Sequence, residues 1–135
     1  MSQDINWEHG ELKFCANRIK LEDTLARRKL DFKDAAHAFT KSHLIEFDEK
    51  HSLVEARYLL SGFGLDGRSV KIGYTERSDQ IRIHTARYME PWETRIFIAQ
   101  LSAQDLKDRS IEKQLWRRRK SIERRKELKK YREPE

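Results

Sequence analysis

Residues 74–87 read YTERSDQIRIHTAR, two alternating runs around the polar pair Ser78-Asp79, and this stretch decides the fold. Side chains of a strand alternate between its faces, so Val70, Ile72 and Tyr74 point one way while Lys71, Thr75 and Arg77 point the other. After the turn the alternation resumes, with Ile81 and Ile83 set against Arg82 and His84. One face reads as core and the other as a surface rich in cations and hydrogen-bonding groups. An ordinary solvated sheet face has the same period, so the pattern leaves the purpose of the polar face open.

Further strand signals lie upstream. Residues 44–47, 56–63, 68–76 and 80–86 form four short runs, and Gly64-Leu65-Asp66-Gly67 joins two of them through glycines that accept positive φ. Short links between consecutive strands predict a four-stranded antiparallel sheet. Before it, Leu12, Cys15, Ala16, Ile19, Leu25 and Ala26 recur at helical spacing and predict an amphipathic helix over residues 11–29, starting near Asn6 or Gly10. Asp31 and Asp34 read as the N-cap and acidic first turn of a second short helix that buries Phe32, Ala35, Ala36 and Phe39, with His37 on its surface. Pro91 opens a helix through Trp92, Ile96 and Phe97, and Ser102 with Asp105 reads as a capping box for a long last helix. The expected class is therefore α+β: N-terminal helices, a four-stranded antiparallel sheet and C-terminal helices.

With 135 residues, 37% hydrophobic and 39% charged, the chain suits one modest core plus a polar appendage. Thirteen Lys or Arg and six Asp or Glu fall in residues 107–135, whereas residues 1–106 hold sixteen basic and seventeen acidic side chains, so the net charge of +6 belongs to the tail. That balance favours polyanion binding by the tail, through Arg117, Arg118 and Arg119, over a basic core; a solvated helix is the alternative. Cys15 is the single cysteine, which fits a reducing cytosol and excludes an internal disulfide. No apolar run reaches signal-peptide or membrane-spanning length, so a cytoplasmic protein without membrane contact is expected. His9, His43 and His51 lie in separate segments with no metal-ligand spacing, and neither metal nor cofactor is expected.

A resemblance now becomes visible. Asn6-Trp7-Glu8, Lys13, Asn17, Phe32 with Ala35-Ala36 and Phe39, Glu55 with Arg57, Tyr74-Thr75-Glu76-Arg77, Ile81-Arg82-Ile83, Thr85-Ala86-Arg87 and Glu93 resemble, in order, the BrnT family of type II toxins over residues 5 to about 97. The resemblance implies a RelE-like fold, cleavage of RNA, a ribbon-helix-helix antitoxin (BrnA) as partner, and operator DNA reached through that antitoxin. It divides the chain into a toxin domain, residues 1–101, and a basic helical extension, residues 102–135. Three departures stand out: the family's Lys-His-Gly turn has no clean counterpart, Phe97 stands where a tyrosine is frequent, and His84 replaces an aliphatic residue.

RNA cleavage without a metal needs the 2′-hydroxyl deprotonated, the phosphorane charge stabilised and the leaving oxygen protonated. Arg57, Arg77 and Arg82 are the candidate cationic donors, because a guanidinium forks onto phosphate and keeps its charge. For Arg57 the alternative is an ion pair with Glu55 or Glu76. His84 stands two positions from Arg82 on the same face and is the candidate for proton transfer. Lys71 and Arg87 are candidate RNA contacts; in an unbulged strand Arg87 has the parity opposite to Arg82 and instead anchors the following helix. A catalytically inactive nucleic-acid binder and a module that only binds a partner protein are the alternatives to an endoribonuclease. The last helix leaves room for a homodimer.

Overall fold

The computed structural model describes residues 3–102, 105–107, 114, 117, 118 and 120–124. Its elements run β1 (Asp4–His9), β2 (Leu12–Asn17), α1 (Arg18–Arg28), α2 (Phe32–Ala35), a 3-10 turn (Ala36–Thr40), β3 (Leu44–Phe47), β4 (Tyr58–Phe63), β5 (Ser69–Arg77), β6 (Gln80–Tyr88) and α3 (Pro91–Ala99). A short 3-10 turn, Glu49–His51, lies between β3 and β4.

The expected helix over residues 11–29 is a strand followed by a shorter helix. Ile5 and Trp7 face Ala16 and Phe14 across an antiparallel hairpin, and Gly10, at φ 62°, makes its turn. Gly10 thus ends a strand and opens no helix. Asn17 starts α1 by accepting a hydrogen bond from the Lys20 amide, and Lys29, at φ 59°, closes it. Asp31 caps α2 as expected, accepting from the Lys33 amide. His37 is half-exposed on the 3-10 turn, and Nε2 of His9 lies 2.8 Å from its Nδ1.

The sheet has six strands in the order β1-β2-β6-β5-β4-β3, not four. Strands β3 to β6 form the expected antiparallel meander; the hairpin extends it because β2 pairs with β6 in parallel, which makes the sheet mixed. This parallel contact was invisible in a reading that made residues 12–17 helical.

The buried face of the sheet packs on α2 and the 3-10 turn. A run of aromatic rings crosses it from edge to edge. Trp7 stacks on Phe14 at 5.6 Å, Phe14 meets Phe39 at 5.3 Å, Phe39 meets Tyr74 edge-on at 5.0 Å, Tyr58 follows at 5.6 Å and Phe47 at 5.9 Å. Each such pair adds about 0.5–1.5 kcal/mol beyond the area it buries. Gly62 allows the 3-10 turn to approach β4, since a Cβ there would sit 2.9 Å from the Ala38 methyl.

One irregularity positions the polar face. Gly73 pairs with Thr85 and Tyr74 with Ile83, so His84 is an extra residue in β6, a β-bulge. Beyond the bulge the alternation is reset: Ala86 points into the core, and Thr85 and Arg87 join Arg82 on the polar side.

Near the end of the described chain, Ser102 and Asp105 form the expected capping box, each backbone N–H donating to the other's side chain, and Ser42 donates to Asp105 as well. Residues 105–107, 114, 117, 118 and 120–124 are helical. Most of the expected basic extension, including Arg119, lies outside the described residues.

Candidate active site

The sheet face opposite the aromatic run gathers most of the expected site residues. Register places Lys71 beside Arg87, Gly73 beside Thr85 and Thr75 beside Arg82, and across β2 Arg82 pairs with Cys15. Helix α1 walls this face on the β6 side. Lys20, Asp23, Thr24, Arg27 and Arg28 line a cleft of about 150 Å3 together with His84, Thr85 and Ala86. A second hollow of about 290 Å3 shares Arg28, Thr85 and Ala86 and extends over Leu59, Lys71, Gly73 and Arg87.

His84 is the centre of this arrangement. Its Nε2 lies 3.0 Å from the hydroxyl of Thr75, which is fully buried, and among the described residues Nδ1 has no partner. Burial, then the charges of Arg57, Arg82 and Lys20, push its pKa down to about 4, while Glu55 pulls weakly the other way. The imidazole is therefore neutral at pH 7. The bulge puts it at the mouth of the cleft, where an unbulged strand would have continued the ladder.

The three candidate guanidinium groups differ in how they are held. Arg82 is gripped by Asp4 through two parallel bonds of 2.9 and 3.0 Å, with Nη1 also 3.7 Å from the Cys15 sulfur, and its side chain is only 16% exposed. Hydrogen bonding to Arg82 holds the Asp4 carboxyl below the usual range and raises the Arg82 pKa in turn. Arg77 donates to Glu55 at 2.9 Å and lowers the pKa of that carboxyl. Arg57 makes neither of the ion pairs expected as its alternative, because Glu55 is taken by Arg77. Its backbone is fixed by Ser52 and Asp48 while its guanidinium stays unpaired among the described residues. Arg57 and Arg77 line neither of the two hollows.

Lys71 and Arg87 converge on Glu93 at the start of α3. Arg87 clamps it bidentately at 2.7 and 2.8 Å, Lys71 approaches to 3.7 Å, and the Glu90 amide donates to it at 2.9 Å. Arg87 chiefly, then the Glu90 amide, bring the Glu93 carboxyl down to about 2. Arg87 thus both faces the polar side and anchors the following helix; the bulge makes the two roles compatible. Phe97 is buried against Phe63 at 5.1 Å and lines a cleft of about 100 Å3 with Lys71 and Glu93, which His84 does not line. Arg117 and Arg118 are exposed on the last helix.

Lys20 and Arg28 line the cleft beside His84 and were not among the residues expected from the sequence. The signal in the sequence is that Lys20, Thr24, Arg27 and Arg28 share one helical stripe. Among the described residues, no three His, Cys, Asp or Glu side chains gather as metal ligands, and no helix is long and apolar enough to cross a membrane.

No curated protein matches the chain. Residues 17–93 match the family described as the ribonuclease toxin, BrnT, of type II toxin-antitoxin systems. The match starts at the cap of α1 and ends at Glu93, so it takes in Arg57, Arg77, Arg82, His84 and the α1 wall of the cleft. A toxin of this type acts on RNA and is held in check by a protein antitoxin. The match covers more than half of the chain, which therefore belongs to the BrnT family of ribonuclease toxins of type II toxin-antitoxin systems.

Proposed function

We propose that this toxin cleaves RNA by side-chain acid-base chemistry on the polar face of its sheet, with His84 as the proton-transferring group. The observation that carries the reading is a neutral imidazole ringed by cations beside an open cleft. When Nε2–H donates to the Thr75 hydroxyl, the Nδ1 lone pair is free to take the proton of a 2′-hydroxyl, and the imidazolium so formed gives that proton to the leaving 5′-oxygen. The unpaired guanidinium of Arg57 then supports the charge that develops on the phosphorane, and Lys20 and Arg28 hold the neighbouring phosphates. Arg82 acts through its field and through the Asp4 clamp, and Arg77 through Glu55. Lys71 and Arg87 line the RNA path with their charge partly offset by Glu93, and exposed Arg117 and Arg118, with Arg119, add salt-sensitive attraction.

A bound phosphodiester offsets the positive charges that depress His84, so its pKa rises in the complex. The base becomes stronger once substrate is in place. By resemblance the antitoxin is a BrnA-like ribbon-helix-helix protein, and operator DNA is reached through it.

The test is induced expression of wild type, Arg57→Ala and His84→Ala in bacteria, with growth and total RNA integrity followed together and RNA cleavage by purified protein measured in EDTA. Arrest with RNA breakdown that both substitutions abolish is expected. Intact RNA from well-expressed wild type would favour the inactive, partner-binding alternative.

A further inference from the structure

We infer that the cleft between α1 and the start of α3 is a nucleotide subsite, in which a nucleobase stacks on Trp92 and its phosphate is held by Arg28. The inference rests on the RNA-cleaving reading above and adds a second point of contact to it. The cleft is open to solvent, has a volume of about 480 Å3 and is lined by Arg28, Arg87, Tyr88, Glu90, Trp92 and Glu93. That volume lies within the range of about 300–1,000 Å3 common for sites that hold a small organic group.

Charge is segregated across this cleft. Arg28, in the last turn of α1, makes no hydrogen bond or ion pair through its side chain among the described residues. Both oxygens of Glu93 are occupied by Arg87, so that pair is internally neutralised. What remains is a free cation on the α1 wall and, on the α3 wall, the Glu90 carboxylate, which accepts the Glu93 backbone N–H in a capping box, keeps its negative charge and repels phosphate from the end where Trp92 stands. A ligand matching this layout carries its anion at one end and a flat group with N–H donors at the other. A nucleotide unit has that shape; a free phosphate or a dicarboxylate does not.

Trp92 supplies the flat surface. The residue is 57% exposed in the first turn of α3, whereas Glu93 and Phe97 of the same helix are buried. Single-stranded RNA is commonly held by aromatic platforms beside backbone-binding cations. Tyr88 offers no competing platform, because Arg68 covers its ring at 3.6 Å and Asp66 takes its hydroxyl. Arg28 also borders the cleft of His84, so one strand can run from the proton-transfer site to Trp92 without leaving the groove.

The test measures binding of a 2′-O-methyl oligoribonucleotide, which lacks the attacking hydroxyl, to the full-length protein, alongside cleavage of the matching RNA. Trp92→Ala is expected to weaken binding about tenfold, the value of one stacked base, while Trp92→Phe stays near wild type. An abasic residue moved along the oligonucleotide should cost wild type a similar factor at one position and cost Trp92→Ala nothing more there. Arg28→Ala should reduce the salt dependence by about one phosphate contact, and Trp92→Ala should leave that slope unchanged. Unaltered binding by Trp92→Ala, or an abasic penalty that is the same in both proteins, overturns the subsite. If Trp92→Ala loses antitoxin affinity while keeping RNA affinity, the indole is a protein contact and the subsite is overturned as well. Should Trp92→Ala not fold, Trp92→Leu, which keeps apolar bulk without an aromatic plane, takes its place in the same binding and abasic measurements. A wild type that binds with the Trp92 signature but never cuts refutes the nuclease chemistry alone; one that cuts while Trp92→Ala binds normally refutes the subsite alone.

Discussion

His84 and Glu93 are both held away from their ordinary pKa values, and each sets a pH window. The folded pKa of His84, about 4, lies below its unfolded value of 6.5, so between these limits the unfolded chain binds more protons and stability falls as pH drops. Glu93, at about 2 against 4.5, adds a second loss at lower pH. Thermal melts from pH 7 to 4 are expected to decline in wild type and to flatten in His84→Gln; equal slopes would show that the imidazole is not held neutral. For cleavage, the acid limb of kcat/KM reports the free protein and should lie near the low folded value. The limb of kcat should sit at higher pH, because bound phosphate restores basicity. Arg57 and Arg82 should separate in the same assays. Arg57→Ala is expected to lose cleavage with an unchanged melting temperature, whereas Arg82→Ala, which breaks the pair with Asp4, should lower the melting temperature as well.

Among the elements, the bulge in β6 decides which side chains meet. It brings Thr85 and Arg87 to the side of Arg82 and leaves His84 projecting beside Thr75. The strand pair β5–β6 was legible because its alternation is strict on both sides of Ser78-Asp79, but nothing in a period of two marks where one residue will be inserted. The hairpin β1–β2 was also written in the chain, as Ile5, Trp7, Phe14 and Ala16 alternating around Gly10. It was lost because Leu12, Cys15 and Ile19 happen to match a helical period that runs on into the true helix. Lys20 and Arg28 were lost with it, since a charge on a helix says nothing about the surface it faces until the sheet beneath is known. Close packing between elements gives a further expectation: Gly62→Ala, whose new methyl would meet Ala38 at 2.9 Å, should destabilise by about 1–3 kcal/mol in denaturant titration.

For the whole molecule, the family match begins at residue 17, yet the fold needs what precedes it. The hairpin covers the open edge of β6, supplies fully buried Phe14 and Ala16, and carries the Asp4 that holds Arg82. Deleting residues 1–16 is expected to give insoluble or unfolded protein by solubility and circular dichroism, although the matched region is nearly untouched. Phe14→Ala in the full chain should cost about 3–5 kcal/mol, the usual loss for a buried ring.

The parallel pairing of β2 with β6 also sets an order of events during synthesis. Residues 14–16 leave the ribosome early and wait for residues 81–83 before their strand has its second neighbour. Closing so long a loop is slow, and no shorter pairing can substitute for it. A chain cut short before residue 82 has neither the clamp on Arg82 nor the imidazole beside Thr75, so on the mechanism proposed above cleavage would begin only after β6 has been made.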